Sequence, residues 1–534
     1  MHIPWPNSGD YGMNLPMNLL SWGVISLLGL FIWLSPGMKS IRITSTFFLM
    51  LASAILFTLP ALWSPHEALF IAYPRLAGIW GGVIAYLALL QQPAGEKKTV
   101  ILLYLLASSA MVEYCLSLAG FYFPQYLPFP LNSLAEKYSG YAPGIFQQVN
   151  VTASFLATGL SAFLYLLADE RRRLYNRKTE SLRCMAISVS IMLLSSMLVI
   201  FHSRIGWIGG ITAIISSSLL FGQPHFRQCT TRCRRVLIIL LPTLGGLFGT
   251  LILKQSVVES LLHEGSNHQR LLTMVYTLRM ISIHPWRGWG LGMFESAFQH
   301  FMASLPGENP SHEMMQHPHN ETLFIWAEGG MPALLGGLAL LYGWFVIFRQ
   351  RKYLWQWAAL LTTLPILLHT QVEFPLYYSV AHFFAVLLLM ANAECPVRRI
   401  TFSPSVIRLP LLGVALYGTV LSFQLFNSSI VLGNFETSRL DEPKSITYIS
   451  VPWLMQMRYQ RDITLLHLEN FNENGSLNEL ELYAHSNAEW IKLHMEESAY
   501  FDQINILYFL KRNEDAEKLR IIAHRLFPWD VRFN

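Results

Sequence analysis

Repeated apolar runs constrain this chain more than any other feature of its sequence. A helix that crosses a bilayer needs about 20 mostly apolar residues. Of the 534 residues, 53% are hydrophobic and only 13% are charged, whereas soluble proteins carry roughly 25% charged residues. The sequence therefore predicts an all-α polytopic membrane protein. About twelve runs are expected to span the membrane, at roughly 16–36, 43–63, 68–91, 99–122, 149–168, 184–202, 205–222, 236–254, 323–349, 354–371, 376–394 and 409–427.

The remaining composition narrows the class of protein further. The chain contains neither a Walker motif nor a glycine-rich nucleotide loop, so any chemistry has to draw on an already activated substrate, and no cofactor is predicted. The net charge of +5 is spread over short loops, which indicates membrane topology rather than a nucleic-acid partner. The five cysteines are scattered, and the C-x3-C pair Cys229 and Cys233 lies beside arginines, so we expect a structural or incidental role for them.

Clusters of Lys and Arg predict the orientation of the spans. Cytoplasmic loops are enriched in these residues, and one assignment places every cluster in the cytoplasm. Residues 123–148, the turn Ser203–Arg204, the long segment 255–322, the turn 370–375 and the tail then face outward. The first third is the least regular part, because Pro74 and Arg75 interrupt the third run. The clusters are Lys39/Arg42, Lys97/Lys98, Arg171–Arg173 with Arg177/Lys178, Arg227 with Arg232/Arg234/Arg235, Arg349/Arg351/Lys352, and Arg398/Arg399.

The last hundred residues differ from the rest of the chain. Charged and apolar residues alternate at helical spacing in "NEDAEKLRIIAHRLFPWD", and Pro528 is typical of a helix stop. The sequence thus predicts a transmembrane domain over 1–426, with the outward loop 255–322, and a small soluble helical domain over 427–534. Helical hairpins are one possible arrangement of this tail, although no clean 34-residue repeat is present.

Titratable side chains concentrate in "MMQHPHNETLFIWAEGG", residues 314–330, at the start of the ninth span. Pro318 disfavours helix at His317, so His319 and Asn320 are expected at the helix start. There, an Asn320 or His319 side chain could simply cap free N–H groups. A metal site formed by His317 and His319 with His312 or Glu313 is a further alternative, but the central proline gives poor ligand spacing.

Other outward-facing stretches also carry polar groups at membrane depth, where such groups are functional candidates by default. Gln148 and Asn150 lie at the start of the fifth span, Arg204 lies in a tight turn, and Glu373 lies at a break before Pro375. Arg270 lies on an amphipathic helix that is broken at Pro285 and followed by a glycine-rich turn. Each of these polar stretches also has a purely structural explanation. Arg204 could anchor a helix end, Tyr377 and Tyr378 could belong to an aromatic belt, and Glu373 could cap a helix break.

Five motifs in this order resemble those of bacterial protein O-oligosaccharyltransferases, the pilin-glycosylating branch of the O-antigen ligase superfamily. The resemblance covers about residues 140–395 and, more loosely, the tail. Met274 departs from the usual tryptophan, and Trp289 departs from the usual small apolar residue. The motifs are G-x-F-x-Q-x-N-x-x-A-x-F-L-A from Gly144, S-R at Ser203, Arg270 fifteen residues before Pro285 with G-x-G-x-G, H-P-H-N-E from His317, and V-E-F-P-L-Y-Y from Val372.

The resemblance implies a GT-C-like ligase fold and transfer of a whole glycan from undecaprenyl diphosphate to a protein hydroxyl. It implies a site on the periplasmic face of the bacterial inner membrane. Arginine suits a diphosphate because its planar fork pairs two oxygens, so Arg204 and Arg270 are expected to bind the leaving group. A histidine is the natural base near neutral pH. We expect His319 in this role, with His317 second, and substrate positioning by Gln148, Asn150, Asn320, Glu373 and Tyr377.

Several alternatives stay open at this stage. A lipopolysaccharide O-antigen ligase or an O-antigen polymerase would use nearly the same residues with a different acceptor, such as a lipid A core instead of a pilin-like protein. A transporter of a lipid-linked substrate would usually show internal repeats and charged groups near the bilayer midplane, and neither pattern is seen. Direct attack assisted by His319 predicts inversion of configuration, since no two acids are paired as in a glycosidase. No metal is predicted, although a divalent cation is not excluded.

Overall fold

The computed structural model describes most of the chain. The described residues are 2, 4–5, 7, 11–36, 40–137, 143–253, 264–306, 309–394, 398–400, 404–438 and 443–533. Lys39 and Cys395 lie outside them, as do the side chains of Arg398 and Arg399, and the predicted loop 255–322 is described only in part.

Within these residues, ten helices are long and apolar enough to cross a membrane. The predicted runs 354–371 and 376–394 instead form shorter apolar helices, Leu354–His369 and Val380–Ala393. The first of these is divided after Thr362, because Pro365 lies at the start of its second piece and cannot donate a backbone hydrogen bond. The predicted all-α polytopic membrane fold is confirmed. The ten helices are Pro16–Leu34, Ser45–Leu62, His66–Leu90, Glu96–Tyr122, Val149–Ala168, Arg177–Ile200, Arg204–Gly222, Arg232–Ile252, Glu321–Gln350 and Val406–Glu436.

The third helix, His66–Leu90, continues through Pro74, so the single span predicted at 68–91 is confirmed although Pro74 and Arg75 interrupt its apolar run. One helix differs from its predicted outline. The last long helix runs over Pro404–Glu436 and passes the predicted end at 427, so the predicted domain boundary lies inside this helix. A two-stranded antiparallel sheet pairs Ile41–Ile43 with Arg398–Ile400, with Ile41 opposite Ile400.

The described chain divides into two compact units. Unit 1 comprises 1–51, 79–263 and 340–423, and unit 2 comprises 52–78, 264–339 and 424–534. The tail thus groups with the described part of the loop that was predicted to face outward, and whether residues 427–534 fold by themselves stays a prediction.

Unit 1 is built around one buried helix, Val149–Ala168. Every residue from Val151 to Ala168 is buried, and the helix packs against Glu96–Tyr122, Arg177–Ile200 and Arg204–Gly222. Small residues allow the close approach that membrane helices favour. A Cβ at Gly206 would lie 2.7 Å from the Ala153 Cβ, and one at Gly209 would lie 2.9 Å from the Ala157 Cβ.

Unit 2 contains the helix predicted around Arg270, as Glu264–Ile283, followed by a turn and the helix Phe294–Ala303. The tail is helical, as predicted. Each of its four helices packs against the next one along the chain. Phe527 and Phe533 lie in its main buried cluster. The helix Phe294–Ala303 is held against the tail, since Ser296 Oγ donates to the Lys492 carbonyl at 2.9 Å. The tail helices are Gln456–Asn474, Leu477–Trp490, Glu497–Phe509 and Asn513–Leu526.

Candidate active site

Three of the predicted positioning residues meet in unit 1. Gln148 Nε2 donates to Glu373 Oε2 at 3.0 Å, and Asn150 Nδ2 donates to Glu373 Oε1 at 2.6 Å. The Gln148 Oε1 atom accepts from the Val151 N–H and thereby caps the buried helix. Glu373 is itself buried. Its carboxylate therefore joins two motifs that are more than 200 residues apart in the sequence.

The same cluster reaches the first turn of the helix that begins at Arg204. Ser203 Oγ donates to Asn150 Oδ1 at 2.8 Å and accepts from the Gly206 N–H at 3.1 Å. Ser203 is thus the N-cap of this helix, and Arg204 is its half-buried first residue. The tight turn predicted here is confirmed, because the preceding helix ends at Ile200.

Two buried histidines extend this cluster, and neither was among the predicted site residues. His369 Nε2 lies 3.1 Å from Glu373 Oε2, and His369 Nδ1 lies 2.9 Å from Ser154 Oγ. The Ser154 hydroxyl lies 3.3 Å from His382 Nε2, which is 3.1 Å from the Val151 carbonyl. The available signal was helical spacing, because His369 and Glu373 are four residues apart and face each other one turn on.

A buried carboxylate from the first 120 residues also shapes this region. Glu113 is fully buried, and its Oε1 accepts from the Ile145 N–H at 2.8 Å. Gly144 lies beside it with φ of 63°, and a Cβ at this glycine would overlap Glu113 Oε1. Glu113 therefore fixes the turn that leads into Gln148 and Asn150. The signal for it was a lone acid inside an apolar run.

Tyr377 lies in a short helix, Pro375–Tyr378, which packs against the N-terminal segment. Its ring meets that of Tyr11 edge to face, with centroids 5.5 Å apart. The Asn18 side chain holds the segments together, because its Nδ2 donates to the Tyr378 carbonyl at 2.8 Å and its Oδ1 accepts from the Val380 N–H at 3.0 Å. The substrate-positioning role of Tyr377 stays a prediction.

In unit 2, the motif that contains both histidines has a strained backbone. His319 has φ of 54°, in the left-handed region that non-glycine residues rarely adopt. Its N–H donates to His317 Nδ1 at 3.0 Å, and His317 Nε2 lies 3.3 Å from Glu321 Oε2. A neutral His317 therefore carries its proton on Nε2, and both of its nitrogens are engaged.

Asn320 acts as the N-cap of the ninth long helix. Its Oδ1 accepts from the Leu323 N–H at 2.9 Å, and the helix Glu321–Gln350 begins at the next residue. The capping alternative is thus confirmed for Asn320. His319 lies one residue before the cap and is half-buried.

A glycine turn, residues 284–293, anchors this helix from the side. Gly288, Gly290 and Gly292 have φ of 70°, 109° and 78°. The N–H groups of Trp289 and Gly290 donate to the Ala327 and Glu328 carbonyls, at 2.8 and 2.9 Å. A Cβ at Gly288 would overlap the Glu328 carbonyl. Only glycine fits such a position, because it has no Cβ and tolerates positive φ.

The Glu328 carboxylate binds the other end of this turn. Its Oε1 accepts from the Gly292 and Phe294 N–H groups at 3.1 and 3.3 Å. Its Oε2 forms an ion pair with Arg75, whose guanidinium lies 4.6 Å from the centre of the Phe324 ring. The His317 ring packs against the same Phe324, with centroids 4.6 Å apart. Arg75 and Glu328 were not predicted as site residues.

The predicted diphosphate ligands belong to different units. Arg204 lies in unit 1, whereas Arg270 and His319 lie in unit 2, so a common pocket for the three stays a prediction. Arg270 is half-buried and lies on the helix Glu264–Ile283, close in sequence to the buried Gln269 and Thr273. Among the residues that the structure describes, no group of three or more His, Cys, Asp or Glu side chains is arranged to hold a metal ion.

Models of known protein families match most of the chain from residue 189 onward. The profile of the O-antigen ligases matches residues 189–338, and that of the C-terminal region of virulence-factor membrane-bound polymerases matches residues 357–530. The protein glycosylation ligase profile matches residues 142–167, which include Gln148, Asn150 and Ser154. No curated protein matches the chain significantly.

The helices indicate a multi-pass membrane protein, and the matched segments are similar to O-antigen ligases and protein glycosylation ligases. These matches support the O-antigen ligase superfamily, the group that includes the protein glycosylation ligases, as the resemblance implied.

Proposed function

We propose that the protein transfers a glycan from undecaprenyl diphosphate to a Ser or Thr hydroxyl of periplasmic or pilin-like proteins, at the outer face of the bacterial inner membrane. The observation that carries this proposal is the hydrogen-bonded cluster of Gln148, Asn150 and Glu373, which continues through Ser203 to the helix of Arg204. Part of this cluster lies in the segment that matches protein glycosylation ligases.

The proposed reaction is a direct displacement at the sugar. The acceptor oxygen forms a bond to the anomeric carbon, the bond from that carbon to the diphosphate oxygen breaks, and the diphosphate leaves with the electron pair. The acceptor proton passes to a histidine. A single displacement inverts the configuration at the anomeric carbon. Because the sugar–phosphate bond is already activated, no ATP is required.

His319 is the proposed general base rather than His317. Both nitrogens of His317 are engaged, one by the His319 N–H and one by Glu321, so its ring supports the loop. The positive φ of His319 fits a functional position, since strained backbone is often retained where a side chain must be presented. A positioned base contributes roughly 10²- to 10⁴-fold to a rate.

Arg204 and Arg270 are the proposed ligands of the leaving diphosphate. Arg204 lies in the first turn of a 19-residue helix, where the dipole and the free N–H groups favour an anion. Its guanidinium can pair two phosphate oxygens as negative charge develops on the leaving group. A lysine would supply the charge but not the fork.

Reconstituted transfer tests this proposal. The protein in sealed proteoliposomes is given a synthetic polyprenyl-diphosphate glycan and either a pilin-like protein or a lipid A core, with and without chelator. We expect glycosylated protein with an inverted linkage. His319→Ala should abolish transfer and Arg204→Lys should impair it strongly, whereas the exposed controls His312→Ala and Arg227→Lys should behave like the wild type.

Each contrary outcome has a distinct meaning. Sugar on the lipid A core alone would show an O-antigen ligase, and chains of repeat units on the carrier lipid would show a polymerase. Movement of the intact donor across the membrane without transfer would show a transporter. Normal transfer by His319→Ala would remove the proposed base, and loss of activity with chelator would show a required cation.

A further inference from the structure

The side chains around Glu373 form a hydrogen-bonded chain in which the bonds from both sides converge on the carboxylate, because a carboxylate can only accept. The Glu373 carboxylate accepts from Gln148, Asn150 and the His369 Nε2–H group. His369 must then use Nδ1 as an acceptor if its ring is neutral, and the Ser154 hydroxyl lies 2.9 Å from that atom. His369 and Ser154 are both fully buried, so water does not compete for these bonds.

The orientation of Asn150 follows from the same carboxylate. Its NH₂ group faces Glu373 at 2.6 Å, and therefore its carbonyl oxygen points away and accepts from Ser203 Oγ at 2.8 Å. Because the Ser203 hydroxyl donates its proton to Asn150, its lone pairs are available to the Gly206 N–H. Each bond in the chain thus fixes the direction of the next one.

We propose that His369 and Ser203 are positioning residues for the donor diphosphate. His369 holds the Glu373 carboxylate in place, Glu373 orients Asn150, and Asn150 with Ser203 fixes the first turn of the helix that carries Arg204. The position of the Arg204 guanidinium is then set by a buried chain that ends at His369. This inference rests on the proposed function, in which Arg204 binds the diphosphate.

Two substitutions at His369 test the hydrogen bonds of its two ring nitrogens separately. In His369→Gln, the amide nitrogen takes the place of Nε2 and can still donate to Glu373. In His369→Asn, the shorter amide reaches only the place of Nδ1, next to Ser154, and the bond to Glu373 is lost. The two variants have similar polarity, so they differ chiefly in which hydrogen bond survives.

The experiment measures steady-state transfer with varied donor and, separately, varied acceptor. His369→Asn should raise the donor KM at least about tenfold, the usual effect of losing one hydrogen bond to a charged group, while the acceptor KM stays unchanged. His369→Gln should stay within about threefold of the wild type. Ser203→Ala should resemble His369→Asn, and Ser203→Thr, which keeps the hydroxyl, should restore donor binding.

Equal donor KM values for the Gln and Asn variants would overturn the role of His369. If neither His369 variant folds, the Ser203 pair decides, and equal donor KM values for Ala and Thr would overturn the proposal. A wild-type protein that transfers no glycan would instead refute the proposed function. The two failures are therefore distinguishable in one assay.

Discussion

The two units each contain a buried carboxylate with several partners, but the partners differ. In unit 2, Glu328 pairs with Arg75 and accepts from two main-chain N–H groups, those of Gly292 and Phe294. In unit 1, Glu373 accepts from three side chains, those of Gln148, Asn150 and His369. Glu328 therefore fixes the course of the backbone, whereas Glu373 fixes the orientation of polar side chains.

We expect this difference to separate a structural role from a functional one. A backbone anchor stabilises a turn whatever the side chains nearby do, so its removal should appear mainly as lost stability. Amides and an imidazole that are oriented by a carboxylate can place a substrate or its ligands, so a change there should appear mainly as lost activity. The following predictions test this distinction.

The largest expected loss of stability is that of Glu328→Gln. Removing one partner of a buried ion pair destabilises a protein by roughly 3–5 kcal/mol, and here the Gly292 and Phe294 N–H groups also lose their charged acceptor. We expect a clear decrease in the unfolding temperature of the purified protein in detergent. Glu373→Gln is the matched substitution in unit 1. It should destabilise the fold by only about 1–3 kcal/mol, and the activation free energy of glycan transfer should rise by at least the same amount. Equal unfolding temperatures for the two variants would contradict the distinction.

The helices were predictable because the signal for them is local. Apolar runs of bilayer length predicted the ten long and two shorter apolar helices found among the described residues, and short motifs singled out Gln148, Asn150 and Glu373 as candidates. His369 was missed, because a single histidine in "LPILLHT" resembles an ordinary buried residue. Arg75 was not recognised as a site residue, since its partner Glu328 is 253 residues away. Pairings over such distances leave no local pattern in one sequence.

Gly144→Ala should show that unit 1 also contains a backbone anchor. The glycine has positive φ, and the new methyl group would overlap Glu113 Oε1, which holds the Ile145 N–H. Left-handed backbone and overpacking each destabilise by roughly 1–3 kcal/mol, so we expect a total of about 3 kcal/mol in thermal unfolding. Gly413→Ala is the control, since it lies in a helix with open space around it and should be neutral or slightly stabilising. If Gly144→Ala unfolds at the same temperature as the wild type, Glu113 does not fix the turn before Gln148.

Asp462 in the tail is a further buried carboxylate, and it should make stability depend on pH. Burial raises its pKa to about 8 from an ordinary 3.8, the charge of Glu436 adds to this, and Arg458 and Arg461 act in the opposite direction. The folded state therefore binds a proton that the unfolded chain releases, and stability declines as pH rises from about 4 to about 8.

The unfolding temperature should thus be a few degrees lower at pH 9 than at pH 5. Asp462→Asn removes the titrating group and should flatten that slope, whereas Asn at the exposed Asp515 should leave it unchanged. A slope that persists in Asp462→Asn would show that another group is responsible.

The smallest expected effect concerns Asn320, for which the sequence left a choice between capping and substrate positioning. Its Oδ1 holds the Leu323 N–H, and loss of such a cap destabilises a helix by about 1 kcal/mol. Asn320→Ala should therefore lower the unfolding temperature slightly, and Asn320→Ser, which can also cap, should restore it. Transfer activity separates the two roles. If Ser restores stability but not transfer, the Asn320 amide contacts a substrate in addition to capping the helix, and the strained loop at His319 would then resemble unit 1 in orienting polar side chains.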